Sequence, residues 1–370
     1  MKIVDIETRL VTLDMTPLYG DQLPLGSPRK WEIPLTTVRT DDGVEGHVTG
    51  YDTYGGGRQI AHLIRDQYRP ILLGRDPLDS EAIWHDMRKA NRHLRNARDA
   101  ASGMLDVCLW DIRGKIAGLP IARLLGLYRT EVPCYATGSP AMLKTVEDTV
   151  AHVRQAQGDG YRGFKLQVWD GPERDLPRLR AAREAAGPDF NLMVDSSGVY
   201  SFSEALRVGQ VLDELRYVWF EEPVPDHHLD VLARLSQELR TPILTAETTT
   251  VHELPQYIRL GAGDMFRGDT YIKGGITGLR KALALCELFG FELEIHTAAS
   301  PLLDIANLHV ACSCANCSYV EHHHPVFRWG LKRDPLAINS SGCQRLPAGP
   351  GLGVDIDWDY IENNTVDRVC

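Results

Sequence analysis

Three acidic residues recur at a regular interval, and each one follows a short apolar run. Asp195, Glu221 and Glu247 are spaced 26 residues apart, after the segments Asn-Leu-Met-Val, Tyr-Val-Trp-Phe and Pro-Ile-Leu-Thr-Ala. One strand with its helix and loops takes roughly 25 to 30 residues in a closed α/β barrel, so we expect these carboxylates at neighbouring strand ends. Buried like charges repel unless a cation lies among them, and oxygen ligands suit Mg2+. The spacing therefore predicts a magnesium site in a barrel enzyme.

Two further residues at strand ends are suited to moving protons. His296 ends the run Phe-Glu-Leu-Glu-Ile, and Asp269 ends the strand-like run one β/α unit upstream. Adjacent strand ends bring the Asp carboxylate to one imidazole nitrogen, which fixes the tautomer and raises the basicity of the ring. A histidine in an apolar strand is otherwise more often structural. Beside the three acids, we interpret His296 as a catalytic base and Asp269 as its partner.

The composition is that of a globular enzyme rather than a binding protein for polyanions. The chain has 370 residues, of which 43% are hydrophobic and 24% are charged, and suits a barrel of roughly 250 residues with a smaller second domain. The net charge of −10 argues against binding to nucleic acid or to anionic membranes, because both require basic surfaces. No run approaches the roughly 18 apolar residues of a transmembrane helix, and the first residues lack a signal-peptide core. We expect a cytoplasmic protein.

The pattern of predicted elements changes near residue 130. Residues 1–130 show alternating strands and then helical periodicity, which predicts an α+β capping domain. Residues 131–325 alternate strand and helix, which predicts a parallel sheet closed into a barrel. Residues 326–370 are rich in Gly, Pro and Asp, and we expect them to pack back on the capping domain. The predicted barrel strands are Cys134–Thr137, Gly163–Val168, Asn191–Asp195, Tyr217–Glu221, Pro242–Glu247, Met265–Asp269, Glu292–His296 and Ser318–Glu321.

Two segments of the first domain combine glycine with aromatic residues, which is typical of mobile lids. They span residues 17–24 and 50–57 and contain Tyr19, Asp21, Tyr51 and Tyr54. Glycine clusters allow hinge motion, and the Tyr and Asp side chains offer polar contacts to a substrate. Ordinary surface loops are the alternative interpretation of both segments.

A stretch rich in cysteine and histidine raises the question of zinc. Cys312, Cys314 and Cys317 precede His322–His324. A structural zinc site takes its ligands from two knuckles or from one helix face. Here the residues fall on one apolar segment that the barrel needs for its last helix and strand. We therefore favour buried free thiols over a zinc site.

Several motifs occur in order along nearly the whole chain. They are Ala-Ser-Gly-Met-Leu-Asp-Val-Cys-Leu-Trp-Asp-Ile-Arg-Gly-Lys at 101–115 with Leu119-Pro120, Gly163-Phe-Lys-Leu-Gln, Val194-Asp195, Phe220-Glu-Glu-Pro, Glu247, Asp269 before Gly274-Gly275-Ile-Thr, and His296. In this order and spacing they resemble the enolase superfamily, specifically its mandelate racemase-like subgroup. The resemblance implies a modified (β/α)7β barrel that holds Mg2+, an N-terminal domain that closes over the substrate, and a homo-oligomer.

The resemblance also implies roles for single acidic residues. It makes Asp195, Glu221 and Glu247 the Mg2+ ligands, and strand alternation then leaves Glu222 as a neighbouring partner. It makes Glu321, at the end of the eighth strand, a protonated acid that donates a hydrogen bond to an ene-diolate. The alternative for Glu321 is an ion pair with one of His322–His324.

The chain departs from this subgroup on the second barrel strand. Relatives often carry Lys-x-Lys there, whereas this chain has Lys165-Leu-Gln167. Glutamine cannot take a proton at neutral pH, so the second base that would face His296 is missing. We expect Lys165 to contact the substrate carboxylate and Gln167 to contact a hydroxyl. Ser197 stands where many relatives have Asn, and it is a further candidate for a polar contact.

A single base favours elimination over racemisation. A racemase needs bases on both faces of the α-carbon, whereas His296 alone can act first as base and then as acid. We therefore predict a hydro-lyase, an acid-sugar dehydratase that acts on an aldonate or aldarate. The alternative is a racemase, epimerase or cycloisomerase in which Lys165 or a lid tyrosine is the second base. A third possibility is a barrel that only binds a metal–carboxylate ligand.

Overall fold

The computed structural model describes residues 1–20, 27–51, 56–91 and 99–370. Within these ranges the strands are β1 Ile3–Asp14, β2 Lys30–Thr40, β3 Glu45–Thr49, β4 Glu131–Gly138, β5 Gly163–Gln167, β6 Asn191–Asp195, β7 Phe220–Glu221, β8 Ile243–Thr245, β9 Met265–Gly268, β10 Leu293–Ile295, β11 Val320–His322, β12 Cys343–Arg345 and β13 Thr365–Val369. None of the helices in the same ranges combines the length and the apolar character needed to cross a membrane.

The α-helices of the described residues lie in both the first domain and the barrel region. They are α1 Thr16–Tyr19, α2 Gly56–Leu63, α3 Arg69–Leu72, α4 Ser80–Asn91, α5 Ala100–Ala117, α6 Ile121–Leu125, α7 Val146–Gly158, α8 Pro172–Ala186, α9 Phe202–Leu215, α10 Leu229–Glu238, α11 Leu254–Leu260, α12 Gly275–Leu288, α13 Pro301–Ala311 and α14 Trp358–Asn364. A π-helical turn, Ile64–Tyr68, joins α2 to α3, and a 3-10 turn, Pro325–Phe327, follows β11.

Strands β4 to β11 form a closed parallel barrel. They pair in chain order, and β11 pairs back with β4 through Val320 and Cys134. Each of β4 to β10 is followed by one of the helices α7 to α13, whereas a 3-10 turn follows β11. This is the (β/α)7β arrangement, and the predicted fold class is confirmed. The antiparallel strand β12 lies outside the barrel against β4.

The strand register sets the height of the acidic residues in the barrel. Gln167 is paired with Asp195, and Asp195 is paired with Glu221. Side chains alternate along a strand, so the residues two positions earlier point inward one layer below. Two of these inward side chains, Met193 below Asp195 and Trp219 below Glu221, belong to a buried apolar cluster with Tyr135 and Leu244. The polar residues therefore rest on a packed floor at the carboxyl ends of the strands.

The first domain forms an antiparallel sheet in the order β13-β1-β2-β3. The last strand of the chain joins it, because Thr8 of β1 is paired with Val369 of β13. Neither β13 nor the preceding helix α14 shows a strong signal in the sequence of the tail. The boundaries 1–130, 131–325 and 326–370 stay predictions.

Buried helix α5 joins the capping domain to the barrel. Asp106 on α5 accepts hydrogen bonds from the backbone N–H of Thr277 (2.9 Å) and from its hydroxyl (2.7 Å), at the first turn of α12. It supplies the cap that Gly274, at the start of α12, cannot supply. A Cβ on Gly275 would lie 2.3 Å from the Asp106 carboxylate, so the second glycine is required for this approach. Burial raises the pKa of Asp106 to about 7.

The cysteine-rich stretch follows α13. The Cys317 thiol donates to the carbonyl oxygen of Tyr319 at 3.1 Å, and the Cys314 thiol donates to that of Ala311 at 3.7 Å. Cys312 and Cys317 are buried, whereas Cys314 is partly exposed, and the choice of free thiols over a zinc site stays a prediction.

Replacing Asp106 with Ala should lower the free energy of unfolding by about 1–3 kcal/mol, because two donors of Thr277 lose their buried acceptor. Chemical denaturation measures this loss. Asp42→Ala, in the exposed turn between β2 and β3, is the control and should change stability by less than about 0.5 kcal/mol. Equal stability of the two variants would contradict the capping role.

Candidate active site

The three periodic acids lie together at the carboxyl end of the barrel. Asp195 ends β6, Glu221 ends β7, and Glu247 follows β8 by two residues. Asp195 and Glu221 are 5% and 0% exposed, respectively. The backbone at Ala246 has a φ of 69°, which turns the chain just before Glu247. Lys165 contacts Asp195 and Glu221, and Arg267 contacts Glu221 and lies 3.9 Å from Glu247, so the structure brings the three acids to one place.

Lys165 is a buried cation among the acids. Its ammonium lies 3.0 Å from Glu221 Oε2, 3.0 Å from Glu321 Oε1 and 3.7 Å from Asp195 Oδ2. Burial and the nearby Arg267 act to lower the pKa of Lys165, but the carboxylates outweigh them and raise it above its ordinary value. Lys165 is therefore held as an ammonium group, which can donate to a substrate carboxylate.

Arg267 is a second buried cation, which the sequence analysis missed. Its Nη2 donates to the Tyr135 hydroxyl at 2.8 Å and also to Glu321. Its Nε lies 2.8 Å from Glu221 Oε1, an ionic contact without hydrogen-bond geometry. Strand alternation could have indicated Arg267, because it stands two residues before Asp269 on β9 and so shares its inward face.

The expected state of Glu321 was wrong. Both cations, Lys165 and Arg267, contact its carboxylate, and the Thr137 hydroxyl donates to it. Burial alone would raise the pKa of Glu321, but these cations and the hydrogen bond hold it well below its ordinary value. Glu321 is therefore an ionised acceptor rather than a protonated donor. In the described structure its ion pairs are with these two residues rather than with His322–His324.

His296 and Asp269 form the expected pair. His296 Nδ1 lies 2.9 Å from Asp269 Oδ2, while Asp269 Oδ1 accepts the backbone N–H groups of Tyr271 and Ile272, each at 2.7 Å. His296 Nε2 faces the acids, 3.7 Å from Glu247 Oε1. Burial lowers the pKa of His296, but Glu247 and Asp269 outweigh it and raise the pKa to about 9. This geometry is that of a general base oriented by a carboxylate.

Gln167 and Ser197 both contact the first acid. Gln167 Nε2 donates to Asp195 Oδ2 at 3.2 Å. The backbone N–H of Ser197 donates to Asp195 Oδ1 at 2.8 Å, and its hydroxyl lies 3.4 Å from the same oxygen. These two residues therefore orient Asp195 as the side chains stand, and their contacts with a substrate stay a prediction.

The lid segments are only partly described. Tyr19 lies at the end of α1, and its ring is 6.3 Å from that of Trp31. Tyr51 meets the same indole edge-on at 5.8 Å. Trp31 also packs 6.2 Å from Phe327, which follows the last barrel strand. The described lid residues thus belong to an aromatic cluster where the capping domain meets the barrel, whereas the other two candidates, Asp21 and Tyr54, lie outside the described residues.

The donor set fits a hard divalent cation. Asp195, Glu221 and Glu247 offer oxygen atoms, the ligands that Mg2+ prefers. Among the described residues Glu221 Oε1 is buried without a hydrogen-bond donor. Burial and the nearby Glu221 carboxylate also raise the pKa of Glu247. As the described side chains stand, no group of three or more His, Cys, Asp and Glu is arranged to hold a metal ion, and Lys165 and Arg267 supply the positive charge instead.

Comparisons with known proteins agree with this geometry. Residues 6–126 match the family "Mandelate racemase / muconate lactonizing enzyme, N-terminal domain", and residues 148–360 match "Enolase C-terminal domain-like". The chain is 34% identical to arabinonate dehydratase of Saccharolobus solfataricus, over 88% of each chain. It is 31% identical to D-galactarolactone cycloisomerase of Agrobacterium fabrum, over 98% of each chain.

Solved structures show the same fold. D-glucarate dehydratase from Agrobacterium tumefaciens, crystallised with magnesium, superposes with a TM-score of 0.87 at 31% identity, over 99% of this chain and 100% of that one. The sequence matches cover both domains, and the structural match covers nearly the whole chain. The chain belongs to the mandelate racemase/muconate lactonizing enzyme family of the enolase superfamily.

Proposed function

We propose that this protein is a Mg2+-dependent acid-sugar dehydratase. It would remove water from an aldonate or aldarate and release a 2-keto-3-deoxy acid. The observation that carries the proposal is the 2.9 Å contact between His296 and Asp269, with Gln167 where a second lysine base would stand. The similarity to arabinonate dehydratase and D-glucarate dehydratase supports the substrate class.

The residues suggest a simple route for the proton. His296 Nε2 takes the proton from the α-carbon, and Asp269 stabilises the imidazolium that forms. His296 then gives that proton to the β-hydroxyl, which leaves as water with the electron pair of the C–O bond. The resulting enol tautomerises to the 2-keto acid. Lys165 donates to the substrate carboxylate throughout.

The proposed metal ligands are Asp195, Glu221 and Glu247. When bound, Mg2+ supplies Lewis-acid stabilisation of the negative charge that develops on the substrate carboxylate. With Mg2+ bound, these acids would lose their contacts with Lys165 and Arg267. Both cations would stay paired with Glu321.

A cycloisomerase is the second candidate, because a relative with this activity covers 98% of the chain. A racemase or epimerase belongs to the same alternative, because all three need proton transfer without loss of a hydroxyl as water. Such a reaction requires either a different leaving group or a second base. Lys165 is a poor candidate for that base, since carboxylates enclose its ammonium.

The deciding experiment is proton NMR in D2O, with Mg2+ and a library of aldonates, aldarates and their lactones. Loss of the substrate signals with a new 3-deoxy-2-keto pattern would support dehydration and identify the substrate. Deuterium at C2 with all hydroxyls retained would support racemisation or epimerisation instead, and ring opening of a lactone would support cycloisomerisation. If no compound of the library reacted in the presence of Mg2+, both candidate functions would be contradicted.

Replacing His296 with Asn should lower kcat/KM for the identified substrate by about 10²- to 10⁴-fold, because the proposed proton carrier is lost. Steady-state kinetics measures the change. His85→Asn, at an exposed position of α4, is the matched control and should keep wild-type activity. If His296→Asn kept more than about a tenth of the activity, well above that range, another group would have to be the base.

Replacing Lys165 with Met should destabilise the metal-free protein by about 3–5 kcal/mol, because buried acids lose a cation. Mg2+ should restore the stability, so its addition should raise the Tm of the variant more than that of the wild type. Thermal denaturation in EDTA and at increasing Mg2+ concentration measures both effects. Lys281→Met, which removes a surface pair with Glu81, is the control. An equal Mg2+ response in all three proteins would argue against metal binding among these acids.

A further inference from the structure

The loop that carries Glu247 adopts a strained backbone conformation. Ala246 has a φ of 69°, in the left-handed region that residues with a side chain rarely adopt. Such a conformation persists only where the surrounding structure holds it. Two buried charged side chains, from different strand ends, contact residues 245–249 of this loop and can supply that restraint.

Asp226 holds the loop from the side of β7. Its Oδ1 accepts from the Thr245 hydroxyl and from the Ala246 backbone N–H, both at 2.9 Å. Its Oδ2 accepts from the Thr248 backbone N–H at 3.0 Å and from the Thr248 hydroxyl at 2.9 Å. The Tyr257 hydroxyl donates to the carbonyl oxygen of Asp226 at 2.6 Å. The carboxylate therefore spans Glu247 and fixes the residues on both sides of it.

Lys273 holds the same loop from the side of β9. Its ammonium donates to the carbonyl oxygens of Ala246 (2.6 Å), Glu247 (3.1 Å) and Thr249 (2.5 Å). The residue is 0% exposed. A Cβ on Gly268 would lie 2.5 Å from Lys273 Cε, so this glycine leaves room for the lysine stem. Because this buried ammonium donates to three backbone carbonyls of one loop, it fixes the position of that loop.

The turn that carries Lys273 also orients the proposed base. Asp269, which contacts His296, accepts the backbone N–H of Lys273 on its carbonyl oxygen at 3.0 Å. One five-residue turn, 269–273, thus carries both the carboxylate that orients His296 and the ammonium that holds the Glu247 loop. The same turn therefore positions both His296 and the loop of Glu247, whose side chains lie 3.7 Å apart.

We propose that Lys273 and Asp226 are positioning residues that clamp the loop of Glu247 and set its placement relative to His296. The proposal rests on the proposed role of Glu247 as a Mg2+ ligand. The clamp would act on the protein before substrate arrives, because every contact of it is within the protein. Its loss should therefore weaken Mg2+ binding and lower kcat, with a smaller effect on the KM for substrate.

The test is calorimetric titration of the metal-free protein with Mg2+, followed by steady-state kinetics at saturating metal. Lys273→Met keeps the stem and removes the donors, and it should raise the Kd for Mg2+ about 10- to 100-fold. Thr248→Val is a milder variant, since it removes one hydroxyl contact with Asp226, and a smaller increase is expected. Lys281→Met, at the surface of the helix α12 that follows Lys273, should bind Mg2+ as the wild type does.

Glu247→Gln separates failure of the clamp from failure of the ligand assignment. If Glu247→Gln weakens Mg2+ binding but Lys273→Met and Thr248→Val do not, the clamp is overturned and the proposed site stands. If Glu247→Gln itself binds Mg2+ normally, the ligand assignment fails and the clamp proposal fails with it. A fall in Tm of Lys273→Met with unchanged Mg2+ affinity would show a purely structural lysine and would also overturn the clamp.

Discussion

The structure of this site depends on balancing negative charge inside the barrel. Asp195, Glu221 and Glu321 are nearly inaccessible to solvent, and their contacts converge on two cations, Lys165 and Arg267. Buried carboxylates are tolerated only when paired, since desolvation costs more free energy than a distant charge can return. With Glu247 included, and with His296 and Asp269 counted as a neutral pair, four acids face two cations, and the deficit equals the charge of one divalent ion. The same imbalance that makes the site costly to fold makes it suited to binding a metal.

The rest of the fold holds this charge cluster in place. The strand register aligns Gln167, Asp195 and Glu221, and a layer of large apolar side chains beneath them excludes water from below. The capping domain contacts the barrel at the start of α12, where Asp106 of α5 caps the helix that follows Lys273. Core packing, helix capping and strand pairing together thus keep a few charged atoms within about 4 Å of one another in a low-dielectric environment.

Sequence periodicity predicted the elements well and the partners less well. The 26-residue interval of the acids and the strand-end positions of His296 and Asp269 follow from local pattern, and so do the eight barrel strands. Arg267 was missed and Glu321 was assigned the wrong protonation state for one shared reason. Alternation along a strand tells which face a residue occupies, but only the assembled barrel brings the Arg267 side chain of β9 to Glu321 of β11, two strands away, and pairs the two charges. The ionisation of a buried acid is a property of that three-dimensional neighbourhood.

Charge balance also gives a physical reason for the glutamine on the second barrel strand. Gln167 donates to Asp195 without adding charge, whereas a lysine there would be a third cation beside the acids. With Arg267 already present, that third cation would leave a single negative charge for a divalent ion to neutralise. A neutral amide at 167 keeps both the donor that orients Asp195 and the negative charge that the metal requires. The glutamine at 167 and the buried arginine are then two consequences of one electrostatic arrangement, and the proposed route leaves His296 to carry the proton in both directions.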